Sequence, residues 1–317
     1  MNKELRACLE GYREAGQLDS SGDFTLSQAH AERKLQDFRL PEPRLYVLNL
    51  VASAVAGGAS QIKFHTDADE LWMASDLKIS DVRDLKNLHS LLLSGQTEPS
   101  LSELALGLNG ILPIKPNKVN LIACDGKRTA TLDWNGQHFT YSDCESSDDL
   151  PFVKLHVKER LGLRVARKFA AKLAGGMLPD SEEDAVFRYC NRCPVEVHFN
   201  EKLANRPIIL GETPYVVFAP GSLAASHPLA SFSRPQKSPG NFSGILAPTG
   251  RLAPWLTLVV RGVNFRLPEK ALAGKTHPRG VVYADFLRKD LSQVQLVQDK
   301  TFEELLSQIQ TLADSAF

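Results

Sequence analysis

The chain has 317 residues and a hydrophobic content of 43%, enough for one large core and a smaller one, so two domains are expected. Lysine plus arginine equal aspartate plus glutamate at 37 each, so no global field recruits nucleic acid or an acidic membrane. The opening MNKELRACLEGYREAG is charged throughout, no apolar run approaches the roughly 20 residues of a membrane span, and five scattered cysteines form no disulfide framework; a soluble, cytoplasmic protein is expected.

Lys3 to Ala15 reads as a short helix, and Thr25-x-x-Gln28 is a capping-box pattern before a second helix over Leu26 to Phe38. Pro41 and Pro43 then mark the start, and Gly57-Gly58 the end, of the most periodic stretch in the chain. At 100° per residue Val47, Leu48, Leu50, Val51, Ala54 and Val55 fill one broad arc, the signature of a helix on a core. Asn49, Ala52, Ser53 and Ala56 hold the remaining arc, where a solvated face would carry Lys and Glu. Something lies against them, either another element or a ligand. Gln61 to His65 and Leu71 to Ser75 are short strands leading to Asp76.

Ile79 to Pro99 begins amphipathic and turns polar at Ser94 to Thr97, which suits a connecting helix and loop. Ser100-x-x-Glu103 predicts a cap on a short helix leading into Gly107-Leu108-Asn109-Gly110, a string whose glycines could let backbone N–H groups approach a phosphate. Strands follow at Val119 to Ala123, Arg128 to Trp134 and His138 to Tyr141, joined by Asp125-Gly126 and Asn135-Gly136, both strong hairpin turns. Phe152 to Val157 is a further strand, Glu159 to Leu173 a basic amphipathic helix, and Val195 to Phe199 another strand. Arg160, Arg164, Arg167, Lys168 and Lys172 are expected on a solvated face of that helix. Cys190 and Cys193 lack the second ligand pair that zinc needs and read as structural thiols.

Residues 211–252 are rich in Pro, Ser, Gly and Ala and predict an interrupted strand followed by a linker. Trp255 to Val263 and Gly280 to Phe286 are strands, and Thr301-x-x-Glu304 caps a final helix. No Walker A string, nucleophile elbow or HExxH motif is present.

The string LNLVASAVAGGASQIKF, followed by a hairpin and an Asp, resembles the first nucleotide-binding motifs of the histidine-kinase-like (GHKL, Bergerat-fold) ATPases, which include the ninety-kilodalton heat-shock chaperone and MutL. The likeness runs over about residues 25 to 205. It implies an α/β sandwich, a Bergerat-like mixed sheet with helices on one face, over residues 1–210, and a smaller α+β, ribosomal-S5-like domain over 253–317. It also implies a cofactor, ATP or ADP with magnesium, held by Asn49, Ser53, Asp76, Gly107, Asn109 and Gly110. By position the polar stretch after Ile79 would then be a lid, and Asp76 would read the adenine amino group; the alternative for Asp76 is a turn cap.

The motifs are degenerate. Asn49 stands where the family has its water-activating Glu and Ser53 where it has its magnesium-holding Asn, and an amide is no general base. The resemblance therefore implies a degenerate ATPase with weak or absent hydrolysis, or a pseudo-ATPase acting as a protein-interaction or scaffold module. Protein partners or a homodimer are expected, with no nucleic acid and no membrane. In the family a Lys or Arg of the second domain completes the site; Arg288 and Lys289 are the candidates, with a solvated loop as the alternative.

Overall fold

The computed structural model describes residues 42–88, 98–173, 178–211, 213–232, 235–249, 253–268, 271–272, 277–290 and 292–317. The helices expected over Lys3 to Ala15 and Leu26 to Phe38, and the polar stretch Ser94 to Thr97, lie outside these residues. Among the described residues no helix is long and apolar enough to cross a membrane.

The architecture is α/β, with two mixed sheets. Helix α1 (Tyr46–Ala56) continues a 3-10 turn at Pro43–Leu45, and every residue from Tyr46 to Ala54 is buried. It ends in two C-terminal hydrogen bonds, Gly58 N to Val55 O and Ala59 N to Ala54 O. The chain then forms the hairpin β1 (Gln61–Thr66) and β2 (Glu70–Ser75). After a 3-10 turn at Val82–Asn87 and helix α2 (Pro99–Ile111) come β3 (Lys118–Cys124), β4 (Arg128–Trp134), β5 (Phe139–Glu145) and β6 (Phe152–Lys158). Helices α3 (Leu163–Leu173) and α4 (Glu182–Tyr189) lead to β7 (Glu196–Phe199) and β8 (Lys202–Leu203).

These strands make one sheet in the order β5-β4-β3-β6-β2-β1-β7-β8, antiparallel except for the β1–β7 pair. The turns at Asp125 and Asn135 form as their residue types require, each side chain accepting two backbone N–H bonds across its own loop. Period-two alternation sorts the central strands into two faces. Ile62, Phe64, Leu71, Met73, Leu155 and Val157 join the core with α1 and α2, while Lys63, His65 and Lys154 point to solvent.

The second sheet has the order β10-β9-β11-β14-β12-β13, from β9 (Val216–Ala219), β10 (Gln236–Lys237), β11 (Ser243–Pro248), β12 (Leu256–Val260), β13 (Val263–Leu267) and β14 (Pro278–Tyr283). Residues 211–252, expected as an interrupted strand followed by a linker, contribute three strands. Strands β9 and β14 are buried at every position, so neither shows the alternation that marks a half-exposed strand. Helix α5 (Lys300–Ala316) closes the chain, with Asp299 at its N-cap accepting from Phe302 N in place of the expected Thr301.

Helix α3 departs from its expected charge pattern. Arg164 and Lys168 turn inward and pair with the buried Glu159 and Glu182, because two carboxylates distant in sequence meet beneath the helix. Burial pushes the Glu182 carboxyl up, yet Lys168 and Arg164 outweigh it and hold it below the usual glutamate range. Leu161, Leu163, Phe169 and Leu173 are left exposed.

A large core runs through both sheets and includes Val51, Cys193, Val260 and Val263, and a smaller one, with Val217, Ile245, Val259 and Val281, lies on the second sheet. The β12–β13 hairpin has a two-residue turn, Arg261 at φ 48° and Gly262 at φ 81°, of the kind that matches strand twist. A Cβ at Gly262 would lie 2.7 Å from Cys193 Sγ and 2.9 Å from Val55 Cγ2, so the turn is seated directly on α1. Gly262→Ala is therefore expected to cost about 2–4 kcal/mol, combining left-handed strain with overpacking. Gly136→Ala, also at positive φ but with open space around it, should cost only about 1 kcal/mol. Urea unfolding midpoints measure both, and equal losses would mean that the hairpin contact carries no energy.

Candidate functional site

The small-residue face of α1 is covered by α2. Gly107 makes this possible: a Cβ there would lie 2.8 Å from Leu50 Cδ2 and 3.5 Å from Asn49 Cβ. Ser53 is fully buried, and its hydroxyl donates to the Ser100 carbonyl at 2.7 Å. Gly107, Asn109 and Gly110 are all buried within α2, so the GLNG string, expected ahead of a helix, lies inside one. The Ser100 capping box does not form either. Glu98 is the N-cap, Pro99 opens the helix, and the Ser100 hydroxyl is buried with no hydrogen-bond partner among the described residues.

Asp76 is apart from this seam, exposed beyond the end of β2. It accepts from the backbone N–H groups of Ser60 and Gln61 at 2.9 and 3.1 Å. Burial pushes its carboxyl up, but the bonds from Ser60 and Gln61 prevail and hold it below the usual aspartate range. It ties the start of β1 to the end of β2. The family-like residues therefore divide into Asn49, Ser53, Gly107, Asn109 and Gly110 along α1 and α2, with Asp76 elsewhere.

Asn49 is 1% exposed, and above it lies a charged cluster assembled from three elements. Glu103 projects from α2. Lys289, in the loop after β14, places Nζ 2.8 Å from Glu103 Oε2 and 3.5 Å from Asn49 Oδ1. Arg261, from the β12–β13 turn, donates to Glu103 Oε1 at 2.8 Å. The side chains of Lys289 and Glu103 are 5% and 3% exposed. Burial pulls the Lys289 ammonium below the usual lysine range, while Glu103 works in the opposite direction. Of the two cations Lys289 and Arg288, Lys289 reaches Asn49, and Arg288 pairs with Asp299 near the surface.

Glu103 and Arg261 were not expected here. Glu103 sits at the fourth position of a capping-box string, and that pattern is the same whether the Glu caps a helix or accepts two distant cations. As arranged, this seam does not fit a nucleotide with magnesium. Ser53 Oγ is committed to a carbonyl, Asn49 lies beneath Lys289, and Gly107 faces the side chains of Leu50 and Asn49. Cys190 and Cys193 are free, buried thiols beside the same core, and burial pushes the Cys193 thiol up to about 12. Among the described residues no group of His, Cys, Asp and Glu could hold a metal ion. No protein-family model matches the chain, and no curated protein matches it.

Glu103→Ala would leave Lys289 and Arg261 without their counter-ion, at an expected cost of about 3–5 kcal/mol. Adding Lys289→Met should restore part of that loss, with a coupling of about 1 kcal/mol or more in a double-mutant cycle by urea unfolding. Additive losses would mean that the two charges do not stabilise one another.

Proposed function

We propose that this chain is a Bergerat-like module joined to a ribosomal-S5-like one, in which a packed α1–α2 seam replaces the nucleotide pocket, and that it acts as a protein-interaction or scaffold module. The observation that carries this reading is the use made of Asn49 and Ser53. At the positions where the resembling family activates water and holds magnesium, this chain has an amide under a buried lysine and a hydroxyl bonded to a backbone carbonyl. The element order supports the Bergerat-like part: a motif helix, a hairpin leading to Asp76, a meander, then strand, two helices and a strand parallel to β1. Apolar Leu163, Phe169 and Leu173, exposed along the helix in which Arg164 and Lys168 turn inward, and Leu161 just before it, support an interaction role with another protein or a second copy.

One contact favours the nucleotide-binding reading: Lys289 reaches Asn49 from the second sheet, as a cation completing a phosphate site would. For ATP and magnesium to enter, α2 would have to part from α1 and Lys289 exchange Glu103 for a phosphate. Calorimetry of the whole chain with ADP and with ATP, with and without magnesium, separates the two. No saturable heat is expected up to about 1 mM, a concentration at which even weak binding registers. Saturable ATP binding that Lys289→Met weakens would replace the scaffold reading with the nucleotide one.

A further inference from the structure

The outer face of the first sheet, opposite α1 and α2, carries a hollow of about 770 Å³, within the roughly 300–1,000 Å³ usual for small-molecule sites. Strand register defines its floor and walls. Lys63, Ala74, Lys154 and Ile122 form one row across β1, β2, β6 and β3. His65, Trp72, His156 and Asn120 form the next row. Ala74 is the small residue between two lysines two strands apart, so the hollow opens where its side chain stops.

The second row is an aromatic wall. Trp72 and His156 are stacked, with centroids 5.0 Å apart and planes 2° from parallel, and His65 flanks the other side at 5.6 Å. His156 is braced in turn, its Nε2 lying 3.3 Å from Glu70 Oε2. The indole thus has an imidazole on each neighbouring strand, and Trp72 and Ala74, two residues apart on one face of β2, both line the hollow. An indole pairs with a further ring in an offset-stacked or T-shaped contact.

The charges beside Ala74 have no counter-ion among the described residues. Lys158, nearby on β6, is paired with Glu70 at 2.7 Å, whereas Lys63 and Lys154 have no carboxylate partner among the described residues. Lys154 Nζ lies 4.5 Å from the Phe152 ring centroid. Glu201 is the one carboxylate in the lining, with His198 beside it in the lining as well. Two ammonium groups flanking an uncharged floor repel one another, and an anion between them turns that repulsion into two attractions.

We infer that this hollow binds a small planar aromatic anion, a carboxylate attached to a ring. The ring lies over Ala74 against Trp72, and the carboxylate sits between Lys63 and Lys154. This assignment is independent of the closed seam on the other face. Naphthalene-2-carboxylate and its neutral amide are matched probes, titrated into the whole chain and followed by amide chemical shifts. The carboxylate should bind at least about tenfold more tightly than the amide, as expected for hydrogen bonds to a charged group. Lys63→Gln with Lys154→Gln should remove that preference, and Ala74→Phe, which fills the floor, should abolish binding of both probes. Equal binding of the two probes by the parent chain, absence of carboxylate binding, or shifts confined to another surface would overturn the assignment. The parent comparison needs no variant to fold, and thermal melting establishes that each variant does.

Discussion

Glu103 is the carboxylate on which the assembly turns. It is 3% exposed and accepts from two cations brought by different parts of the second sheet. A charge taken that far out of water costs several kcal/mol unless paired in good geometry, and a pair of cations without it would cost more. Lys289, itself buried, cannot leave Glu103 without losing its counter-ion, and Arg261 adds a second tie to the same carboxylate. The β12–β13 turn and the loop after β14 are therefore held at one place on α2. Since Gly262 of the same turn rests on Val51, Val55 and Cys193, the second sheet clasps α1 and α2 together.

That clasp explains the composition of α1. A helix packed on a sheet along one face and on another helix along the opposite face can afford neither long nor charged side chains on the second. Ala52 and Ser53 keep the separation small, and Gly107 on α2 lets Leu50 and Asn49 approach its backbone. Asn49 and Ser53 are the polar exceptions, and each has a partner that the packing supplies. In this arrangement the polar residues of the seam act as cross-links between elements.

What the sequence disclosed follows from the range of the forces involved. The boundaries of α1, the two hairpin turns and the alternation in β1, β2, β3 and β6 are local consequences of proline, glycine, Asx side chains and side-chain period, and all are in the structure. The lack of charge on one α1 face told correctly that something lies there, while its identity depended on α2, some fifty residues onward. The inward turn of Arg164 and Lys168 depended on Glu159 and Glu182 meeting under them. Within 211–252 only an interrupted strand was legible, because β9 is buried at every position and β11 at all but its last, so neither shows the period of a half-exposed strand. Glu103 was visible only as a capping residue, because nothing in its neighbourhood foretells Arg261, 158 positions away.

The two faces of the first sheet are under different constraints, and the difference follows from the period of two. Ile62, Phe64 and Met73 face the core, where a lost methylene leaves a cavity. Lys63, His65, Trp72 and Ala74 alternate with them on the same two strands and face outward, where substitution leaves the core contacts intact. A tryptophan held between two histidines on such a face does nothing for the core beneath it. Trp72, the small Ala74 and two lysines with no carboxylate partner among the described residues instead shape a surface whose chemistry can change without reopening the seam. Whatever this chain recognises, the outer face is free to specialise for it, because the fold rests on the other one.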